Sequence, residues 1–167
     1  MRARESGWSY IELLATVTIL VVGVIALMKG FFDGSRLTET ARETTLLNAA
    51  CRNVVETLRT VPFNGVVAQY GSGSGRDRFW CGPEGVVSFS AMNNAWAQGR
   101  IEFFNNESAI PSSFANLSGG FDLNANGTVE AQPVSDFKIL PVRVTCDVAP
   151  PSQSRPVTLE LILMEVN

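Results

Sequence analysis

Between Asp122 and Glu130 the chain reads Asp-Leu-Asn-Ala-Asn-Gly-Thr-Val-Glu. Asp122, Asn124 and Asn126 fall at positions 1, 3 and 5 of a calcium loop, with Gly127 at 6, Thr128 at 7 and Glu130 at 9. This spacing suits a hard cation because alternate side chains turn inward while the glycine makes the sharp bend. Position 12, where such loops carry a bidentate Glu, is Pro133; Asp136 can stand in only if the chain curls back. The competing reading is an Asn-Gly turn capped by Asp122, which needs no ion. Calcium is the one cofactor the sequence offers.

Three cysteines stand at 51, 81 and 146, without the short spacings of a metal site. In an oxidising compartment two readings stay open: a Cys81–Cys146 disulfide with Cys51 buried on a helix face, or three reduced core cysteines. There are no histidines, which excludes Ser-His-Asp and Cys-His catalysis and every His-ligated metal site. Gly71-Ser-Gly-Ser-Gly75 lacks the Lys-Ser/Thr of a phosphate-binding loop and reads as a flexible turn. Glu84, Glu102 and Glu160 read as solvated surface rather than a hydrolytic pair. No enzymatic site is expected. The net charge of −3 and the absence of a basic stripe with interleaved aromatics give no sign of a nucleic-acid surface.

The elements that must carry these residues begin with an apolar run. From Trp8 to Met28, 21 residues hold one ionisable side chain, Glu12. As a helix this run is about 31 Å long, close to the ~30 Å hydrocarbon thickness of a bilayer. Arg2 and Arg4 precede it and favour a cytoplasmic N-terminus. A carboxylate inside such a run is costly and marks a function or a partner, unless it sits near enough to the interface to stay solvated.

After Met28 the pattern turns amphipathic: Leu47, Cys51, Val54, Leu58 and Val61 recur at spacings of 4, 3, 4 and 3, with Leu37 and Ala41 on a similar stripe upstream. Gly30 and Gly34 are a weak point, and Pro62 ends the helix near Thr60. Residues 64–85 read as loop. Residues 86–91, 100–105, 137–147 and 157–166 then read as strands, with Pro141 at an edge or a bulge and Trp96 packed in the core or sheet. Alternating Val142, Val144 and Cys146 with Leu159, Leu161 and Leu163 place one sheet face on the helix. The expected fold is α+β, a long N-terminal helix on a small antiparallel sheet. Its parts are residues 1–7, a membrane helix over 8–28, an amphipathic continuation over 29–60 and a β-rich domain over 61–167.

A short basic leader, Gly7, an aromatic at 8, then Ser9-Tyr10-Ile11-Glu12 and an apolar helix together resemble the class III signal of type IV pilins and type II secretion pseudopilins. Trp8 stands where that family usually has Phe, and Lys29 where many major pilins have a proline. The segment Cys51–Gly65 (CRNVVETLRTVPFNG) also resembles the end of the helix in minor pilins. The resemblance implies a peptidase cut after Gly7, N-methylation of Trp8, and a Glu12 carboxylate that pairs with a neighbouring subunit's terminal amine. It further implies a non-enzymatic, pilin-like subunit of a type IV pilus. Its partners would be other pilin or pseudopilin subunits, a prepilin peptidase and the inner membrane, and the soluble part would end outside the cytoplasm. Related pseudopilins bind calcium in their soluble domains. The alternatives are a minor pseudopilin of a type II secretion system and a single-pass protein displaying a binding domain, with Glu12 incidental. A secretory signal peptide competes for the N-terminus, but its apolar core is shorter and no small-x-small cleavage site follows Met28.

Overall fold

The computed structural model describes residues 9–82, 85–114, 120–132, 135–148 and 156–165. The chain divides into two compact units, Met1–Ala41 and Arg42–Asn167.

In the first unit the described residues form the leading part of helix α1 (Tyr10–Thr60). The helix runs unbroken through Gly23, Gly30 and Gly34, where the expected weak point does not interrupt it. Thr16 and Thr18 donate their hydroxyls to the carbonyls of Glu12 and Leu14 (2.7 and 2.8 Å), and Thr38 does the same to Gly34 (3.0 Å). Such back-bonding hides each hydroxyl against its own helix, which an apolar surrounding demands. Every residue from Ser9 to Glu39 is exposed. That includes Leu37, which is 72% exposed. Among the described residues, α1 is the one helix long and apolar enough to cross a membrane.

In the second unit the rest of α1 buries Leu47, Ala50, Cys51, Val54, Val55 and Leu58. The helix ends at Thr60, one residue before Val61-Pro62, as the restriction on residues preceding proline requires. A second helix, α2 (Phe63–Tyr70), follows at once where a loop was expected, and buries Val66 and Tyr70 one turn apart. The sheet has five strands: β1 (Arg78–Cys81), β2 (Val87–Ser88), β3 (Ala97–Phe103), β4 (Ile139–Val148) and β5 (Val157–Met164). Their order is β2-β1-β3-β4-β5 and every pairing is antiparallel. β1 lies in the stretch read as loop. β2 keeps two of the six residues expected, and β3 begins three residues earlier than predicted.

The alternation on β4 and β5 puts Leu140, Val142, Val144 and Cys146 opposite Leu163, Leu161, Leu159 and Val157. With Phe79, Cys81 and Ile101 these residues form one core with the α1 stripe. Pro141 is not at an edge: β4 lies between β3 and β5. It sits where β3 stops, its carbonyl accepting from the N–H of Phe104 (3.0 Å), so the N–H that proline lacks is one the ladder no longer needs.

On the other face Arg143 lies in register between Glu102 of β3 and Glu160 of β5. It pairs with Glu160 at 2.9 Å and Glu102 at 3.8 Å, and its guanidinium lies 5.2 Å from the centroid of Phe104. The two acids expected to be merely solvated therefore form a cross-strand charge row, which contributes modestly on an open face. Glu84 lies outside the described residues.

Gly99 on β3 is fixed by the same packing. A Cβ there would overlap the ring of Phe79, its fully buried cross-strand neighbour. Gly99→Ala is expected to cost about 1–3 kcal/mol, the usual range for overpacking a filled core. Phe79→Leu in the same chain should restore part of the loss. The measurement is the urea midpoint of the two single variants and the double variant; simple additivity would show that the ring and the glycine are not coupled.

Candidate functional site

The segment Phe121–Glu130 does not fold on its own hydrogen bonds alone. A fully buried carboxylate, Glu107, holds it from a short 3-10 turn at Glu107–Ala109. Glu107 Oε1 accepts from the N–H of Leu123 (2.6 Å) and of Asn124 (3.3 Å), and Oε2 accepts from the N–H of Glu130 (2.8 Å). One side chain thus grips both ends of the loop. Beneath it Leu123 is fully buried with Ile110 and Phe114 in a small satellite core. Glu107 was not singled out in the sequence, because its partners are backbone groups 16 to 23 residues away.

Held this way, the loop brings together every residue of the calcium pattern. Asp122 accepts from the N–H of Asn126 (3.1 Å) and of Gly127 (2.6 Å). Asn124 Oδ1 also accepts from the N–H of Asn126, and Asn126 Oδ1 takes the N–H and hydroxyl of Thr128, both at 2.8 Å. Asn126 and Thr128 both donate to Glu130 Oε1. Gly127 has φ +92° and Ala125 φ 59°, the left-handed turns a tight loop uses. The chain does curl back: Asn124 Nδ2 donates to Asp136 Oδ1 at 3.3 Å. Pro133 lies outside the described residues. The other oxygen, Glu130 Oε2, is buried without a hydrogen-bond partner among the described residues.

The cysteines gather elsewhere. Cys51, Cys81 and Cys146 are all buried in the main core, and the sulfurs of Cys81 and Cys146 lie 3.3 Å apart as free thiols. The pair named from the sequence is therefore adjacent but not bonded.

At the N-terminal end Gly7 and Trp8 lie outside the described residues. Glu12 is exposed, and its Oε2 accepts from the N–H of Ser9 at 3.0 Å. Ser9 immediately precedes the helix and Glu12 is its third residue, so Ser-x-x-Glu forms half of a capping box. That signal was legible in the sequence and gives Glu12 a role within its own chain.

Comparison with family models, with curated proteins and with solved structures finds no match for this chain.

Glu107→Gln replaces an oxygen acceptor with an amide that faces backbone donors. The change should cost about 2–3 kcal/mol, the range for losing hydrogen bonds to a buried charged group. Limited proteolysis of the variant should cut first within 120–132. Wild-type stability together with an unchanged cleavage pattern would show that the loop does not depend on this carboxylate.

Proposed function

We infer that the chain is a minor pilin-like subunit of a type IV pilus, made with a leader of residues 1–7 and assembled through its N-terminal helix. What carries this reading is the leading part of α1: an apolar, wholly exposed helix whose one early carboxylate, Glu12, follows Gly7 by five residues. Further support comes from the same helix burying a stripe on a small antiparallel sheet in the second unit. The subunit acts by assembly and has no catalytic role.

In this mechanism the apolar helix is stored in the inner membrane with Arg2 and Arg4 on the cytoplasmic side. Cleavage after Gly7 makes Trp8 the first residue and creates an amine four residues before Glu12. Within one chain the Glu12 carboxylate holds the Ser9 N–H. In the filament it would take a neighbour's terminal amine, a charge-assisted bond about twice as strong as a neutral one. Mass spectrometry of the mature N-terminus decides the matter. The expected chain begins at Trp8, N-methylated, and Gly7→Val leaves the precursor uncut. A mature protein that keeps Met1, or begins after Met28, overturns the reading.

We propose that the loop at Asp122–Glu130 takes a calcium ion. Glu107 accepts the N–H of Glu130, and the Glu130 side chain has one buried oxygen without a hydrogen-bond partner among the described residues. A cation settles that arrangement. Asp122, Asn124, Asn126, Thr128 and Glu130 would hold it, and the ion would supply cross-linking charge between the ends of the loop. With so few carboxylates the dissociation constant should be on the order of 10⁻⁴–10⁻³ M. A tenfold excess of calcium over that constant should then stabilise the folded state by about 1.4 kcal/mol. Melting of the whole chain in detergent, with millimolar calcium and with chelator, should show the rise, and Asp122→Ala should abolish it. Superimposable curves for the unmutated protein would leave the loop an Asn-Gly turn.

A further inference from the structure

The assembly reading leaves three thiols unused. Cys51 on α1, Cys81 on β1 and Cys146 on β4 come from three separate elements, and each is 0% exposed. The Cys81 and Cys146 sulfurs are 3.3 Å apart. The Cys51 thiol donates to the carbonyl of Val157 (3.9 Å), and Val157 is the residue opposite Cys146 in the β4–β5 ladder. Cys51 therefore sits over the same rung as Cys146. Cys146 is the neighbour that both others share.

We propose that these cysteines form a single disulfide with two alternative positions, both through Cys146: to Cys81 across the sheet, or to Cys51 on the helix.

The chemistry balances with a small disulfide, such as oxidised glutathione, as the oxidant. The Cys81 thiolate attacks one glutathione sulfur and expels the other as a thiolate. Cys146 then gives up its proton, attacks the Cys81 sulfur and expels the second glutathione. Two protein thiols are oxidised and one disulfide is reduced to two thiols. Cys81 is the natural first attacker, since its hydrogen bond with Cys146 lowers its pKa against the opposing effect of burial. Cys146 is pushed far up by hydrogen bonds with Cys51 and Cys81 and by burial, so it acts second. The shift between positions involves no net oxidation. The Cys51 thiolate attacks Cys146 Sγ, Cys81 leaves as a thiolate and takes up a proton. Because all three are buried, both steps run when the domain opens locally. The β2–β1 side, ending in a strand of only two residues, is the weakest edge.

The two positions constrain different things. The Cys81–Cys146 bond spans 65 residues and ties β1 to β4 over the intervening β3. The Cys51–Cys146 bond closes a longer loop and staples α1 to the sheet, so it restricts the unfolded chain more.

The test uses the whole chain in detergent, equilibrated in glutathione redox buffer, quenched with acid and alkylated under denaturing conditions. Trypsin cuts after Arg52, Arg78, Arg100 and Arg143 and so puts the three cysteines on separate peptides. The expected map of the unmutated protein holds one disulfide and one alkylated thiol per molecule, with Cys81–Cys146 and Cys51–Cys146 peptides both present. Cys81→Ser should collect the bond at Cys51–Cys146, Cys51→Ser should collect it at Cys81–Cys146, and Cys146→Ser should stay reduced. Three alkylated thiols in the unmutated protein overturn the proposal, as does a Cys51–Cys81 peptide as abundant as the others. If Cys81→Ser does not fold, the unmutated map decides alone, and lack of a Cys51–Cys146 peptide there rejects the second position.

Discussion

The contact on which the second unit depends is the seam between α1 and the sheet. Leu47, Cys51, Val54 and Leu58 present one helical stripe, and Phe79, Ile101, Val142, Val144 and Cys146 present one pleated face. Neither surface can stay in water without large cost, since each fully buried aliphatic side chain gains about 1.5–3 kcal/mol from leaving it. Their match has geometric consequences. It sets which residues of β4 point inward, and a shift of one residue would turn Val142, Val144 and Cys146 outward. It also fixes Arg143 on the opposite face, where Glu102 and Glu160 flank it in register.

The loop at Asp122–Glu130 stands apart from this seam and is held by different physics. Its satellite core of Ile110, Phe114 and Leu123 is small. Most of its order comes from carboxylates and amides accepting backbone N–H groups. A buried carboxylate is expensive unless its hydrogen bonds are filled, and Glu107 fills its own with three loop amides. The ring of acceptors that results serves an Asn-Gly turn and a cation loop equally well.

What could be read in the sequence was whatever had enough length to show a period. The 4-3-4-3 stripe on α1 and the alternation over β4 and β5 are long, and both recur in the structure. β1 has four residues, too few to display alternation beside a glycine-rich turn. α2 follows a proline and contains Gly65, both loop signals, although Val66 and Tyr70 at a spacing of four marked its buried face. Leu37 shows the opposite error: periodicity reports an apolar stripe but not whether a partner surface exists for it. Glu107 and the meeting of Cys51 with Cys146 left no local trace, because both are made by chain segments far apart in sequence.

The exposed first unit raises a different energetic question. Moving an apolar helix from lipid into a bundle of like helices gains little from the hydrophobic effect, because lipid tails are as apolar as Leu and Val. Close packing and polar pairing must then decide whether and in what register such helices associate. Gly23, Gly30 and Gly34 leave open space on α1, with nothing within 4 Å of a Cβ placed there. Small residues of this kind let a neighbouring helix approach closely. Glu12 supplies the other half. A carboxylate in low dielectric has few acceptable partners, and a single Ser9 N–H uses only part of its capacity. Water can satisfy the remaining acceptor sites of an exposed carboxylate, and where water is excluded only another donor can. An apolar run of this length limits the surroundings in which a helix is stable, and a carboxylate within it limits the groups it can meet there.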